Sequence, residues 1–309
     1  MPYPLVTICG SYHLTKDWVL PCLESWKKIS NIDRSELYVI PDNRISEEDV
    51  DRFRELQFTM LSSSNQEKIE IFLTKYPYLT RMREKELFWK KIVDISILFS
   101  RHEKVVYIDT DVFINHPVLL PEGDFDIAYM REEIPAYHGK WSIVWKERMV
   151  PALQGGLVIF RPSIIDFDYL EYLAKDYFIN CKDTWWTEQA AWACIAGKSE
   201  KRYVFNGKQV RVISGINKRT LSEIVHNKFK YFGSNKIIED FEIVKCLVEG
   251  SSIVHFAGMG KKWALPIIDH LQKTNLQSLE KDITLEKDTG MTFVNKSIIS
   301  LRLFLQEKR

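Results

Sequence analysis

Asp109 and Asp111, separated by Thr110, follow directly on the apolar run Val105-Val-Tyr-Ile108. Two carboxylates two residues apart grip one point only where the backbone turns around it. Their oxygens suit a hard divalent cation, Mg²⁺ or Mn²⁺, of the kind that carries a phosphate ligand. The run before them is continuous and rich in β-branched residues, as in a strand covered on both faces. Ligands in open α/β sheets collect beyond the carboxyl ends of such strands. An isolated Asp-x-Asp also ends strands as a plain turn, so the pair needs partners elsewhere. His255, in the apolar run Ile253-Val-His-Phe256, is one candidate, although a lone His on such a run is also a satisfied core residue. Lys261 follows beyond Gly258 and Gly260. Glycines let a backbone approach a phosphate closely, and a Lys there supplies compensating charge.

The elements that must position these residues alternate. Leu5–Cys9 reads as a first strand, ended by Gly10-Ser11, with a helix from about Lys16 to Lys28 and a second strand at Leu37–Ile40. Glu47 to about Phe58 has helical spacing. Ile69–Leu73 reads as a short strand, and Glu84–Phe99 as one continuous helix feeding the Asp109 strand. Phe125–Met130 is a further strand, and Glu132–Pro151 a loop or lid. Gly155-Gly156 opens the strand Leu157–Phe160. Ser163 is a helix N-cap for Ile164–Phe178, and a helix runs from Trp185 to about Ala196 with Gly197 as its stop. Short strands are expected near Tyr203 and Val210 and at Ile253–Phe256. Strands alternating with helices imply a mainly parallel, Rossmann-like α/β sheet flanked by helices. We expect one domain over residues 1–270, with a nucleotide-binding half (1–115) and a second half (116–270). A C-terminal helical extension covers 271–309, where Ser297–Leu305 is a packed helix, a dimer element or a weak membrane-surface helix.

Composition excludes several classes. The 309 residues carry 43 Lys plus Arg against 42 Asp plus Glu, so no global field draws the chain to nucleic acid or a membrane. Five scattered Cys without a Cys-x-x-Cys pair argue against a disulfide framework or zinc site and for a reducing, cytoplasmic compartment. No apolar run reaches the ~18–20 residues of a bilayer span.

Taken in order, Val6-Thr-Ile8, Tyr107-Ile-Asp-Thr-Asp-Val112, Gln154-Gly-Gly-Leu-Val-Ile-Phe160 with Arg161-Pro-Ser163, Glu188-Gln189 and His255-Phe-Ala-Gly-Met-Gly-Lys-Lys-Trp263 resemble the glycogenin-like and lipopolysaccharide galactosyltransferase-like sugar transferases. These are GT-A fold enzymes of glycosyltransferase family 8, and the resemblance runs from about Leu5 to Trp263. It implies Asp109, Asp111 and His255 as ligands of Mn²⁺ (or Mg²⁺), Lys261 on the diphosphate of a UDP-sugar donor, and Lys91 close to that donor. It places Thr7, Cys9 and Tyr12 at the base and ribose, Gln154, Gly155 and Gly156 at the transferred sugar, and Thr110 and Gly258 in the same donor site. It implies hexosyl transfer to a hydroxyl of a glycan, glycolipid or protein with retention of configuration, Gln189 and Glu188 being the catalytic candidates. The chain departs from the family at Gln154-Gly155-Gly156 (usually Asn-Ser-Gly), at Glu188 (commonly Asp) and at Lys262 (often Pro).

Two rivals stand beside this reading. A metal-dependent nucleotidyltransferase needs a Gly-rich, basic loop after the first strand, and Cys9-Gly-Ser-Tyr-His13 is poor in both. A non-catalytic nucleotide-sugar-binding protein would keep the nucleotide site without turnover. Peripheral membrane contact by the tail and a homodimer stay open.

Overall fold

The computed structural model describes residues 2–42, 45–132, 137–181, 184, 186–214, 241–274 and 279–307. The strands are β1 (Tyr3–Cys9), β2 (Ile32–Pro41), β3 (Thr59–Met60), β4 (Val105–Ile108), β5 (Val112–Ile114), β6 (Val118–Leu119), β7 (Ile127–Arg131), β8 (Leu153–Phe160), β9 (Arg202–Phe205), β10 (Val210–Val212), β11 (Ile253–His255), β12 (Lys281–Asp282) and β13 (Leu285–Lys287). The helices are α1 (Ser11–Leu14), α2 (Val19–Ser25), α3 (Glu47–Glu55), α4 (Ser63–Leu73), α5 (Pro77–Lys85), α6 (Val93–Leu98), α7 (Ile143–Lys146), α8 (Phe167–Leu173), α9 (Thr187–Lys198), α10 (Phe241–Val248), α11 (Ala264–Thr274) and α12 (Phe293–Glu307).

Among the described residues, the main sheet has eight strands in the order β13-β9-β7-β8-β4-β1-β2-β3. β3, β2, β1 and β4 run parallel, as do β7 and β9. β8 is antiparallel to both β4 and β7, and β13 is antiparallel to β9. The architecture is the expected α/β sheet flanked by helices, with the parallel half at the N-terminus. The chain builds outward from β1 to β3 and then returns to place β4 on the other side of β1. The crevice beyond the carboxyl ends of β1 and β4 is therefore a topological switch point, the place where ligands collect in such sheets. A second sheet, β10-β11-β5, joins the chain directly after β4 through β5. Buried apolar clusters fill both faces of the main sheet, and a third cluster lies under β11, α10 and α11.

Several local expectations are overturned. Ile69–Leu73 is the end of α4, not a strand. Ile69 and Leu73, four residues apart, are buried while Ile71 and Phe72 face water, which is helical spacing that a short β-branched stretch conceals. Glu84–Phe99 is not one helix. The chain leaves the α region at Glu86 (φ −135°, ψ 112°), makes a tight 3-10 stretch over Leu87–Lys91, and resumes as α6. That break points Lys90 and Lys91 inward, and both are buried. α8 is capped by Asp166, whose side chain accepts from Tyr169 N at 3.0 Å, in place of Ser163. Gly197 does not stop α9, which continues to Lys198. A Cβ at Gly197 would lie 2.2 Å from the Arg148 carbonyl oxygen, so the glycine serves close helix–loop packing. Trp185 lies outside the described residues. After α11 the tail is not helical throughout. β12 pairs with β6 and β13 extends the main sheet, and α12 then packs against α7.

Candidate active site

The site begins where β4 ends. Asp109 N donates to the Gly156 carbonyl at 2.7 Å, and Val112 N donates to the Asp109 carbonyl at 3.0 Å, so the chain turns between the two acids and leaves as β5. β11 runs antiparallel to β5 with His255 opposite Val112, and Phe256 N donates to the Asp111 carbonyl at 2.9 Å. That register brings the imidazole to the acids: His255 Nε2 lies 3.1 Å from Asp111 Oδ1. One ligand atom each from Asp109, Asp111 and His255 fall within 4.8 Å of one another. An octahedral ion with bonds of about 2.1 Å spans about 4.2 Å between opposite ligands, so the three groups need only small side-chain adjustments to share one.

Two ammonium groups balance the acids. Lys91 Nζ reaches Asp109 Oδ1 at 2.8 Å and Oδ2 at 3.0 Å. Lys261, on the 3-10 stretch Gly258–Trp263, lies 3.0 Å from Asp111 Oδ2 with its side chain 44% exposed. Burial opposes charge on Asp111, but His255 and Lys261 outweigh it and hold the carboxyl well below the usual range. Burial would lower Lys91, yet Asp109 and Glu188 raise it. The Tyr107 hydroxyl also donates to Asp109.

Gly155 and Gly156 sit in a bulge of β8, where the pairing with β7 shifts between Tyr129 and Met130. A Cβ on Gly156 would lie 2.3–2.8 Å from three atoms of the His255 ring. The residue is a glycine because the imidazole occupies that space. Gly156 N donates to Gln154 Oε1 at 2.5 Å. A Cβ on Gly155 would meet Glu188 Oε1 at 3.0 Å.

Glu188 and Gln189 lie in the first turn of α9, a helix buried over Thr187–Ala196. Polar groups placed there cost about 1–3 kcal/mol each unless paired. The Thr187 hydroxyl accepts from Trp89 Nε1 at 3.0 Å, but Glu188 Oε1 and Gln189 Oε1 have no hydrogen-bond partner among the described residues. Thr7 Oγ1 and His255 Nδ1 share that condition. Four buried, unpaired polar atoms on residues of one expected site fit a bound polar ligand.

Burial pushes the Glu188 carboxyl up to about 7, with Lys91 opposing and Asp109 adding to the rise. A folded-state value above the unfolded one favours folding fully below the unfolded value of 4.5, and that contribution is lost as pH rises through about 7. Glu188→Gln removes the charging cost. In urea unfolding of the metal-free protein it should gain on wild type by up to about 3 kcal/mol near pH 8, the gain shrinking toward zero below about pH 4.5. A difference that stays constant across this range would show that burial does not shift the group.

The remaining expected residues are distributed as follows. Thr7 and Cys9 are buried on β1, and burial pushes the Cys9 thiol up to about 12. Tyr12 is 68% exposed on α1, with Lys16 Nζ 4.3 Å from its ring centroid. Thr110 is buried between the acids. Gly258 adopts φ +50°, and a Cβ on Gly260 would lie 1.7 Å from the Ile213 carbonyl oxygen. The Gly260 close approach is thus to the chain itself, where the sequence pointed to a phosphate. Sequence reasoning missed four neighbours. Tyr107 holds Asp109. His13 accepts from Gly10 N at 3.2 Å, its pKa lowered by burial and biased by Asp42, Lys261 and the two acids. The Trp18 ring centroid lies 5.3 Å from Lys261 Nζ. Glu132 has a carboxyl pushed up to about 7 by burial, against the pull of His255, the Ser214 hydroxyl and Arg302. Tyr107 lies in the Tyr107–Val112 stretch, which assigns it no role; the other three carry no motif and are recruited by tertiary packing.

No family model matches the chain, and no curated protein matches it. Among solved structures it is similar to mouse xyloside xylosyltransferase 1, with 11% identity, a TM-score of 0.45, and coverage of 82% of this chain and 97% of that one. It is also similar to the glycosyltransferase GlyE of Streptococcus pneumoniae TIGR4, with 11% identity and a TM-score of 0.46; the match covers 99% of this chain but 64% of GlyE. A third is the galactosyltransferase LgtC in complex with donor and acceptor sugar analogs, with 9% identity, a TM-score of 0.43, and 89% and 97% coverage.

Proposed function

We propose that this chain is a GT-A type glycosyltransferase, transferring a sugar from a UDP-sugar to an acceptor hydroxyl with Mn²⁺ (or Mg²⁺) in the site. The observation that carries the reading is the convergence of Asp109, Asp111 and His255 within 4.8 Å at a strand-end crevice, flanked by Lys91 and Lys261. Two carboxylates and an imidazole suit Mn²⁺, which accepts oxygen and nitrogen together. A bound divalent ion would supply charge neutralisation for the departing diphosphate.

The chain's own groups supply the rest. Lys261, half exposed, is free to turn from Asp111 toward a diphosphate oxygen. Lys91, fully enclosed, holds Asp109 in place. Thr7, Cys9 and Tyr12 form the side of the crevice assigned to the nucleoside. Gln154, the Gly155-Gly156 bulge, Glu188 and Gln189 form the wall assigned to the transferred sugar. The unpaired oxygens of Glu188 and Gln189 are fixed acceptors for its hydroxyls or for positive charge developing at its anomeric carbon. Retention of configuration is the stereochemical outcome we expect. Residues 1–270 would act as the catalytic unit, with 271–309 added to it.

Screening a panel of UDP-sugars for UDP release with and without Mn²⁺ tests the proposal. Release with one donor that depends on the metal is the expected result. Calorimetric binding of UDP and Mn²⁺ without turnover on any donor would identify a binding protein, and absence of both would remove the reading.

A further inference from the structure

Glu188 and Trp192 lie one turn apart on α9, so their side chains share a face of that helix. Both are buried, and neither Glu188 Oε1 nor Trp192 Nε1 makes a hydrogen bond of good geometry among the described residues. Their chemistry is complementary. An indole nitrogen only donates, and an ionised carboxylate only accepts. They also converge on one point. A Cβ on Gly155 would lie 3.0 Å from Glu188 Oε1 and 3.7 Å from Trp192 Cδ1, the atom bonded to Nε1. Gly155 brings no side chain to part them. Phe160 packs edge-on against the indole, with ring centroids 4.9 Å apart. The carboxyl is therefore the partner that moves.

We propose that Trp192 is a positioning residue for Glu188, its Nε1–H donating to Glu188 Oε1 once the carboxyl is ionised. A buried donor and a buried acceptor rarely stay unpaired side by side. A carboxylate oxygen accepts more than one hydrogen bond, so the indole fixes the direction of Oε1 and leaves it able to receive a sugar hydroxyl. Two other charged groups face that carboxyl. Lys91, before α6, favours its ionised form, and Asp109, at the end of β4, opposes it; the indole acts in the same direction as Lys91. Lys91 is already engaged by both oxygens of Asp109, which leaves the indole to set the orientation. This hold belongs to the chain itself, while its use in sugar transfer rests on the proposed function.

Trp192→Phe removes the N–H and keeps an aromatic ring against Phe160. The stability difference between Glu188 and Glu188→Gln forms, followed by urea unfolding across pH in the metal-free protein, reports where Glu188 titrates without sugar or ion. With Trp192→Phe that midpoint should rise above about 7 by on the order of one pH unit, because the carboxylate has lost a donor. In sugar transfer kcat should fall on the order of tenfold while KM for the donor stays within about threefold. The substitution should add little to the loss already caused by Glu188→Gln. If phenylalanine loosens α9, benzothienylalanine placed at position 192 alone keeps the bicyclic shape without the N–H, and the same rise is expected. An unmoved midpoint in a folded variant, or a loss of turnover that adds in full to that of Glu188→Gln, would overturn the proposal. A raised midpoint in a protein that transfers no sugar would remove the proposed function and leave the hold on Glu188 standing.

Discussion

Asp111→Asn is expected to reduce metal-dependent sugar transfer by on the order of 10³-fold or more while leaving a folded protein. Asp111 is the carboxylate at which His255 and Lys261 meet. An amide of the same shape has one oxygen and no charge, so it weakens the grip on a divalent ion directly. It also leaves Lys261 without the partner that holds it at the site. The stability cost should be modest, about 1–2 kcal/mol against the 3–5 kcal/mol typical of breaking a fully buried pair, because Lys261 is half exposed and returns to water. The measurements are Mn²⁺ binding by calorimetry, UDP release, and a urea melt of the metal-free protein. Mn²⁺ affinity and turnover both within about threefold of wild type would show that the acids serve the fold alone.

The second large effect is expected from the smallest change. Gly156→Ala adds one methyl group at a point 2.3–2.8 Å from the His255 ring. Those atoms cannot coexist, so either the imidazole rotates away or the β8 bulge shifts. The first separates His255 from Asp111, and the second moves the Gly156 carbonyl that Asp109 N bonds; a misplacement on the order of 1 Å costs about 10²-fold in rate. Overpacking adds about 1–3 kcal/mol of destabilisation. His255→Ala vacates the space, so in that background Gly156→Ala should cost little, and the two changes together should be far from additive. Additive effects would mean that the clash is relieved elsewhere and that Gly156 serves the bulge geometry instead.

Much of this arrangement is legible from local chemistry. The Val105–Ile108 run with its terminal acids, the Ile253–His255 run and the Gly155-Gly156 pair each carry a local signal, and each becomes a strand or strand end of the site. What the pattern conceals is register. Nothing in residues 253–256 reveals that β11 lies against β5 with His255 opposite Val112, or that Gly156 is small to admit the ring. The helix break after Glu86 is equally silent, because Glu84–Phe99 keeps an apolar repeat across it. Yet that break delivers Lys91 to Asp109. α4 is concealed for the opposite reason, since β-branched Ile69 and Ile71 mask a longer helical period. Buried pairings such as Tyr107 with Asp109 join residues whose types are common everywhere, and only the folded chain singles them out.

Each acid at the corner already has its own ammonium: Asp109 has Lys91, and Asp111 has Lys261. The chain's own groups thus bring the corner close to charge balance. On the proposed reading, a divalent cation would compete with Lys261, whereas a diphosphate would draw that same lysine away. On the proposed reading, ion and nucleotide sugar are reciprocal aids, each strengthening the hold on the other, and loading becomes a joint event.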